Sequence, residues 1–279
     1  MTATVAPEPV DNVIIRSIEP VVDYGFFQMD EDLFPIRAPH KSLSGEISLD
    51  MSNLEQYLGG KKLEIYEDGG RVGCGGVLWI SGHLLALYLL QKWNFILEDL
   101  RKNHGVAQVH KVVEIGSGTG VVGIALGAAT VDHKDQYPED FKVYISDIDE
   151  LVPIMQKSIS LNKLDEVVEA ISLPWGEPLP QSCSSKVDLI LAADCVYNEK
   201  AFDILEQTLV DLSNGTKINE DGSKRDTVIY MASRKRRKAD LKFFRKCKKS
   251  FHMQEIVHYE GYEFFRLQNV HLWKMVLKR

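Results

Sequence analysis

The sequence predicts an α/β fold in which helices cover both faces of a mostly parallel β-sheet. Over residues 111–250, short runs of apolar and β-branched residues alternate with helix-length segments. This alternation is typical of a parallel sheet that is buried on both faces. The last two strand-like runs have no helix-length segment between them, so we expect them to form an antiparallel hairpin at the end of the sheet.

From residue 111 onward, the predicted strands of the core alternate with predicted helices. Core strands are predicted from short apolar runs at residues 111–116, 143–147, 168–173, 187–193 and 228–232. Helices are predicted between and after them at residues 121–129, 150–162, 200–212 and 239–250. The hairpin strands are predicted at residues 254–259 and 271–277. Upstream of the core, we expect a short strand at residues 63–65 and, at residues 81–93, a helix that is apolar nearly all round and therefore buried.

The chain is predicted to divide into two regions near residue 60. Residues 1–60 contain scattered prolines and little sustained periodicity, which predicts a partly irregular N-terminal arm with short strands near residues 25–29 and 45–49. Residues 61–279 are predicted to form one domain. With 44% hydrophobic residues, a chain of this length can bury a sizeable core. Surface loops are predicted at residues 132–140 and 214–225.

Composition and charge argue against several classes of function. Lys and Arg total 33 against 40 Asp and Glu, a formal net charge of −7, which argues against direct binding to nucleic acid. The four cysteines have no C-x-x-C or zinc-ligand spacing, so we expect no metal site and a reducing compartment. No apolar stretch approaches the roughly 20 residues of a membrane span, and no signal pattern begins the chain. These observations indicate a cytosolic or nuclear protein, of which we expect the cytoplasmic one. We also expect a monomer.

A glycine-rich run follows the first core strand. Residues 114–120 read Glu-Ile-Gly-Ser-Gly-Thr-Gly, and Gly118, Gly120 and Gly123 satisfy the spacing of a dinucleotide-binding loop. Asp147 ends the next strand, where a carboxylate can accept hydrogen bonds from ribose hydroxyls. These residues predict an adenosine-containing ligand without choosing between a nicotinamide dinucleotide and S-adenosylmethionine. The alternative is a tight strand-to-helix turn that binds nothing.

A carboxylate and a phenol follow the fourth core strand. Asp194 and Tyr197 lie at its carboxyl end, which in an open parallel sheet faces the same crevice as the glycine-rich run. Such a pair suits a cationic substrate group. The N-P-P-Y run that would suit the amino group of a nucleic-acid base is absent. Asp194 has a second interpretation, in which its side chain caps the helix that follows.

At these residues the chain resembles the class I, seven-strand S-adenosylmethionine-dependent methyltransferases, and among them the lysine methyltransferases of non-histone proteins. The resemblance covers about residues 63–279 and rests on residues 67–76, 79–80, 191–197 and 234–240. It implies a Rossmann-like seven-strand sheet, S-adenosyl-L-methionine as cofactor and S-adenosyl-L-homocysteine as product. The finer motifs are similar to those of fungal enzymes that methylate translation elongation factor 1-alpha, so the resemblance implies this protein substrate.

The resemblance also implies the roles of particular residues. The implied cofactor contacts are Trp79, Glu114, Gly116, Ser117, Gly118, Asp147, Trp175 and Ala193. Asp194 and Tyr197 are predicted to be the catalytic residues, from their position after the fourth core strand. Trp175 follows the third core strand, where its ring could stack on adenine. Both tryptophans have an alternative interpretation as half-buried core residues.

A basic run follows the fifth core strand. Residues 234–238 read Arg-Lys-Arg-Arg-Lys. This run is either a solvated start of a helix, a docking site for an acidic protein surface or nearby RNA, or a localisation signal.

Other classes of function stay open at this stage. A nicotinamide-dependent oxidoreductase would share the glycine spacing, but no Tyr-x-x-x-Lys pair is evident. A methyltransferase of small amines and a non-catalytic binding module with the same fold are the remaining alternatives.

Overall fold

Seven strands form one sheet in the computed structural model of this protein, which describes residues 52–68, 70–184, 187–214, 222 and 225–278. The strand order is β3-β2-β1-β4-β5-β7-β6. The strands are β1 Lys111–Ile115, β2 Lys142–Asp147, β3 Val168–Ser172, β4 Leu189–Ala193, β5 Val228–Arg234, β6 Phe251–Glu255 and β7 Val270–Leu277. The first five pair in parallel, and β7 runs antiparallel to both β5 and β6. The predicted mostly parallel sheet with a C-terminal antiparallel hairpin is confirmed.

Helices pack on both faces of this sheet, as predicted. They are α1 Ser52–Glu55, α2 Ile80–Asn103, α3 Val121–Thr130, α4 Val152–Leu161, α5 Phe202–Asn214, α6 Asp240–Ser250 and α7 Tyr262–Leu267. Neighbouring residues of β1 point to opposite faces, because side chains alternate along a strand. Val112 packs in one buried cluster with α2, α3 and α4, and Val113 packs in another with α5 and α6. No helix among the described residues is both long and apolar enough to cross a membrane.

Three predictions are corrected in their extent. The strand predicted at residues 254–259 is β6 Phe251–Glu255, which begins directly after α6 ends at Ser250. The helix predicted at residues 81–93 continues to Asn103, because Ile96 and Leu100 carry its buried stripe beyond Trp93. The terminal hairpin contains a helix, α7, where none was predicted. This helix is short and buries only Phe265, so it shows little helical periodicity in the sequence.

The strand predicted at residues 63–65 is wrong. Leu63 and Ile65 are buried as an alternating pattern predicts, but their backbone pairs with no strand of the part of the chain that the structure describes. Instead, the N–H of Glu64 donates to Asn162 Oδ1 at 3.0 Å and the N–H of Tyr66 donates to Ser158 Oγ at 3.0 Å. Side chains at the end of α4 therefore replace a neighbouring strand as hydrogen-bond partners.

The N-terminal arm is described only from residue 52. Leu54 and Leu58 are buried in the same core cluster as α2, so packing begins a few residues ahead of residue 61. The division of the chain at that residue stays a prediction. The strands predicted near residues 25–29 and 45–49 lie outside the described residues.

Glu114 joins β1 to α3 inside the core. Its side chain is buried, and its Oε2 accepts a hydrogen bond from the N–H of Gly123 at 2.8 Å. Burial raises the pKa of this carboxyl to about 8, although the Gly123 N–H opposes the shift. The carboxyl therefore carries its proton in the folded protein at neutral pH.

We expect Glu114→Gln to remove a pH dependence of stability. The pKa of Glu114 is about 8 in the folded state and about 4.5 in the unfolded state. Its contribution is therefore fully present below pH 4.5 and is lost as the pH rises through 8, by up to about 5 kcal/mol. Urea denaturation between pH 5 and 8 should show the free energy of unfolding falling more steeply in the wild type than in the variant. Parallel curves would contradict this assignment.

Candidate active site

The site lies where the strand order reverses. The chain leaves the carboxyl ends of the neighbouring strands β1 and β4 toward helices on opposite faces. In open α/β sheets this arrangement leaves a crevice in which ligands bind. A cleft of about 820 Å³ opens here, within the range of small-molecule sites. It is lined by every residue for which a cofactor or catalytic role is predicted: Trp79, Glu114, Gly116, Ser117, Gly118, Asp147, Trp175, Ala193, Asp194 and Tyr197. Their individual roles stay predictions.

The glycine-rich loop forms the floor of the cleft. Gly116 and Gly118 have φ values of +57° and +55°, a left-handed conformation that favours glycine. A Cβ on Gly116 would lie 2.8 Å from Trp175 Cζ2 and 2.9 Å from Cys195 Sγ. A Cβ on Gly118 would lie 2.7 Å from the Gly75 carbonyl oxygen. The backbone therefore forms a cradle that larger residues would close.

The second glycine-rich stretch, residues 70–76, forms a wall of the same cleft. Asp68 fixes its start, because its carboxylate accepts hydrogen bonds from the N–H groups of Gly70, Arg71 and Val72 at 2.7–3.1 Å. The Gly75 carbonyl then lies against the loop after β1. In the sequence, this stretch contributed to the family resemblance, but no role in the site was predicted for it.

Asp147 is held in a fixed orientation at the end of β2. Its Oδ2 accepts from the N–H of Gly118 and its Oδ1 from the N–H of Ile148, both at 2.8 Å. Burial raises the pKa of this carboxyl, and the two N–H donors oppose the shift. Each carboxylate oxygen keeps a further lone pair, so the group can still accept hydrogen bonds from a ribose. Glu114 differs, since its carboxyl is turned toward Gly123 in α3.

The two tryptophans border the cleft and also make structural contacts. Trp175 is half-buried, packs against the core cluster on the α5 side and also borders the cleft. Trp79 donates from Nε1 to the carbonyl of Cys74 at 2.8 Å, which ties the glycine-rich wall to the start of α2. Packing and lining the cleft are therefore compatible at both positions.

Asp194 is buried at the end of β4 and forms an ion pair. It has a φ of +59°, and its N–H donates to the carbonyl of Ala232 at 2.9 Å. Its two carboxylate oxygens accept from Arg236 Nη1 at 2.8 Å and Nη2 at 2.7 Å. The interpretation of Asp194 as a helix cap is wrong, because Asn198 caps the next helical turn.

Tyr197 stands beside the glycine-rich wall. Burial raises the pKa of its phenol, and a hydrogen bond to the Cys74 side chain acts in the same direction. The phenol therefore stays protonated at neutral pH and can donate or accept a hydrogen bond. This contact connects the fourth strand to a segment more than a hundred positions earlier in the sequence.

The basic run after β5 turns partly inward, which none of the interpretations made from the sequence included. Arg236 and Arg237 border the cleft, whereas Lys235 and Lys238 are exposed. Arg237 Nη2 donates to the carbonyl of Tyr197 at 2.5 Å. Arg236 is thus a site residue that the sequence reasoning missed. The available signal was its position just after β5, at the same sheet edge as Asp194.

Among the residues that the structure describes, no group of three or more His, Cys, Asp or Glu side chains could hold a metal ion.

Comparisons with known proteins agree with this geometry. A family model described as lysine methyltransferase matches residues 58–250. Protein-lysine N-methyltransferase EFM6 of Saccharomyces cerevisiae is 42% identical over 77% of this chain and 86% of its own length. Protein N-lysine methyltransferase METTL21A of Danio rerio is 30% identical over 82% of this chain and 89% of its own.

Solved structures are more distant. The O-methyltransferase from Bacillus cereus, in complex with S-adenosylhomocysteine, is 15% identical over 81% of this chain and 91% of its own, with a TM-score of 0.42. This likeness adds nothing to what the strand order shows. The family model and the yeast relative are decisive: the chain belongs to the lysine methyltransferase family and is an S-adenosylmethionine-dependent protein-lysine N-methyltransferase.

Proposed function

We propose that this protein transfers a methyl group from S-adenosylmethionine to a lysine of translation elongation factor 1-alpha. The observation that carries the proposal is the position of Asp194 and Tyr197 in the same cleft as the glycine cradle. A carboxylate and a protonated phenol there suit the amine of a lysine side chain. Elongation factor 1-alpha is inferred from the similarity of the sequence motifs to those of fungal enzymes that act on it.

The cleft fits the cofactor. The cradle at Gly116 and Gly118 admits a ligand against the backbone, Asp147 is oriented to hold a ribose, and Trp175 offers a ring face to an adenine. S-adenosylmethionine supplies a methyl group on a positively charged sulfur, which an amine takes as the carbon–sulfur bond breaks and its electron pair stays on sulfur. The residues of this chain must bind and orient the two reactants.

The acceptor lysine has to be neutral when it reacts. With an unperturbed pKa of about 10.4, removing its proton at pH 7 costs about 4.6 kcal/mol. The buried surroundings of Asp194 and Tyr197 favour the neutral amine, because desolvation disfavours the charged form. In this proposal both side chains orient the amine by hydrogen bonds, and the proton leaves to solvent. Orientation of this kind supplies a large part of the rate in transfer reactions.

The proposed setting of the enzyme follows from its substrate. Elongation factors act in the cytoplasm, so we propose that this enzyme is cytoplasmic and acts there as a monomer. The exposed side chains of Lys235 and Lys238 lie next to the inward-facing Arg236. They remain available to contact an acidic surface of the protein substrate.

We expect Gly118→Ala to weaken cofactor binding at least tenfold. The new Cβ would lie 2.7 Å from the Gly75 carbonyl, which would force the loop after β1 and the glycine-rich wall apart. Gly59→Ala is the matched control, since Gly59 also has a positive φ, of +64°, but nothing within 4 Å of its Cβ position. Isothermal titration calorimetry with S-adenosylmethionine measures both. Equal affinities of the two variants would count against the cradle.

We expect Asp194→Asn and Tyr197→Phe each to reduce methyl transfer at least a hundredfold while the cofactor still binds. The measurement is transfer of labelled methyl from S-adenosylmethionine into a lysate of cells that lack this protein, with products resolved by mass. The wild type should label one protein of the size of elongation factor 1-alpha, on lysine. Asp203→Asn, which removes an exposed carboxylate paired with Lys246, is the control and should label as the wild type does.

Other outcomes would redirect the proposal. If a different protein is labelled, that protein is the substrate, and the proposed reaction stays the same. Label only in small molecules would favour a small-amine acceptor, and no label despite measured cofactor binding would favour a binding module. Full activity of Asp194→Asn would remove that residue from the mechanism.

A further inference from the structure

The carboxylate assigned to orient the acceptor lysine is already paired. Arg236 forms two hydrogen bonds with Asp194, at 2.8 and 2.7 Å, and the two side chains are only 5% and 4% exposed. Two parallel N–H···O bonds are the strongest geometry for an arginine and a carboxylate. Breaking such a pair would leave an uncompensated buried charge, which is strongly unfavourable. Arg236 is therefore a fixed part of the site.

Arg236 is also held by contacts other than its ion pair with Asp194. Its backbone N–H donates to the buried Asp240 at 2.9 Å, and Asp240 also accepts from the N–H of Arg237 at 2.9 Å. The guanidinium lies over the Trp79 ring, 5.5 Å from its centroid, within the range of a cation–π contact. The arginine thus lies between a cofactor-cleft residue and the carboxylate at the end of β4.

The ion pair of Asp194 and Arg236 has no net charge, and most of the titratable groups around it are neutral or paired. Burial acts to lower the pKa of Arg236, but Asp194 beside it outweighs this effect and the pKa is raised. The other titratable or charged groups that border this part of the cleft or interact with the pair are Cys74, Glu114, Asp147, Cys195, Tyr197, Glu199, Lys200, Arg234, Arg237 and Asp240.

Most of these neighbours carry no net charge toward the cleft. Burial raises the pKa values of Cys74, Cys195 and Tyr197, which keeps the three groups protonated. The pKa of Glu114 is raised to about 8 by burial, and Arg237 pairs with Asp240 at 3.3 Å. Glu199 pairs with Lys242, and the backbone N–H of Arg234 donates to Asp194 Oδ1 at 3.5 Å. Arg236 therefore supplies the guanidinium charge that lies in direct contact with the Asp194 carboxylate.

The net charge of the Asp194–Arg236 pair affects the protonation state of the acceptor lysine. An isolated carboxylate next to a lysine stabilises the ammonium form and so works against the reaction. A carboxylate has about four lone-pair sites, and Arg236 uses one on each oxygen. Asp194 can therefore still accept a hydrogen bond from an amine N–H.

We propose that Arg236 is a positioning residue that keeps Asp194 in a charge-neutral pair, so that the site orients a neutral lysine amine without stabilising its ammonium form. This inference rests on the proposed function and goes beyond it, because it separates the orienting role of Asp194 from its charge. Arg236 acts through Asp194 and touches no reacting atom in this scheme.

The test is the pH dependence of the methyl-transfer step. Single-turnover rates are measured from pH 6.5 to 10 with saturating S-adenosylmethionine and elongation factor 1-alpha, or with whichever protein the lysate experiment labels. In Arg236→Gln the apparent pKa of the rate should rise by about 1 to 3 units. The rate at pH 7.5 should then fall at least tenfold and recover as the pH rises, while the KM for the protein falls or stays constant. Lys249→Gln removes an exposed charge from α6, the helix that follows the run, and its profile should match that of the wild type.

A second pair of variants covers the case in which Arg236→Gln does not fold. Asp194→Asn leaves the arginine charge in place, and Asp194→Asn with Arg236→Gln removes both charges. The apparent pKa of the residual rate should be lower in the single variant than in the double variant, because only the single variant keeps the positive charge. Thermal melting and cofactor titration establish that each variant is folded and binds S-adenosylmethionine.

Several results would overturn the inference. One is an Arg236→Gln profile that is scaled down equally at all pH values, as expected for a purely structural role. Another is a loss of cofactor affinity with no change of apparent pKa, which would make Arg236 a cofactor contact. A third is equal apparent pKa values in Asp194→Asn and the double variant. Absence of protein methylation by the wild type would instead mean that the proposed function has failed.

Discussion

The reversal of strand order between β1 and β4 is the constraint on which the rest of this site depends. The segments after the two strands diverge toward opposite faces of the sheet, so their starts cannot fill the space between them. After β1, the glycine-rich loop lies against Asp147, and the N–H of Gly118 donates to the Asp147 carboxylate. After β4, the side chains of Asp194 and Tyr197 border the cleft. In the proposed mechanism, the end of β1 therefore binds the cofactor and the end of β4 binds the acceptor.

The core sheet was predictable because its strands are short apolar runs that are buried on both faces. Residues 63–65 show the limit of this reasoning. Leu63 and Ile65 are buried in alternation, yet the neighbouring backbone N–H groups donate to the side chains of Ser158 in α4 and Asn162 just after it. Hydrogen-bond partners so distant in sequence leave no local pattern. The short helix α7 was missed because only Phe265 is buried in it.

In the candidate site, too, some residues could be predicted from the sequence and others could not. Asp147, Asp194 and Tyr197 were predictable because strand ends in a parallel sheet meet at one edge. Arg236 was not, because its direction depends on a turn that the buried carboxylate of Asp240 holds. A run of five basic residues predicts exposure, and only the tertiary contacts select which members turn inward. The contact of Gly75 with the loop after β1 likewise arises from packing between distant segments.

The left-handed backbone of Asp194 has a consequence for natural and engineered variation at this position. Aspartate and asparagine tolerate a φ of +59° because their short polar side chains can bond locally, whereas alanine and above all β-branched residues are strained there. Most replacements would therefore alter the local fold together with the chemistry. The conformation narrows the choices open to mutation to aspartate, asparagine and glycine, of which aspartate alone carries a charge.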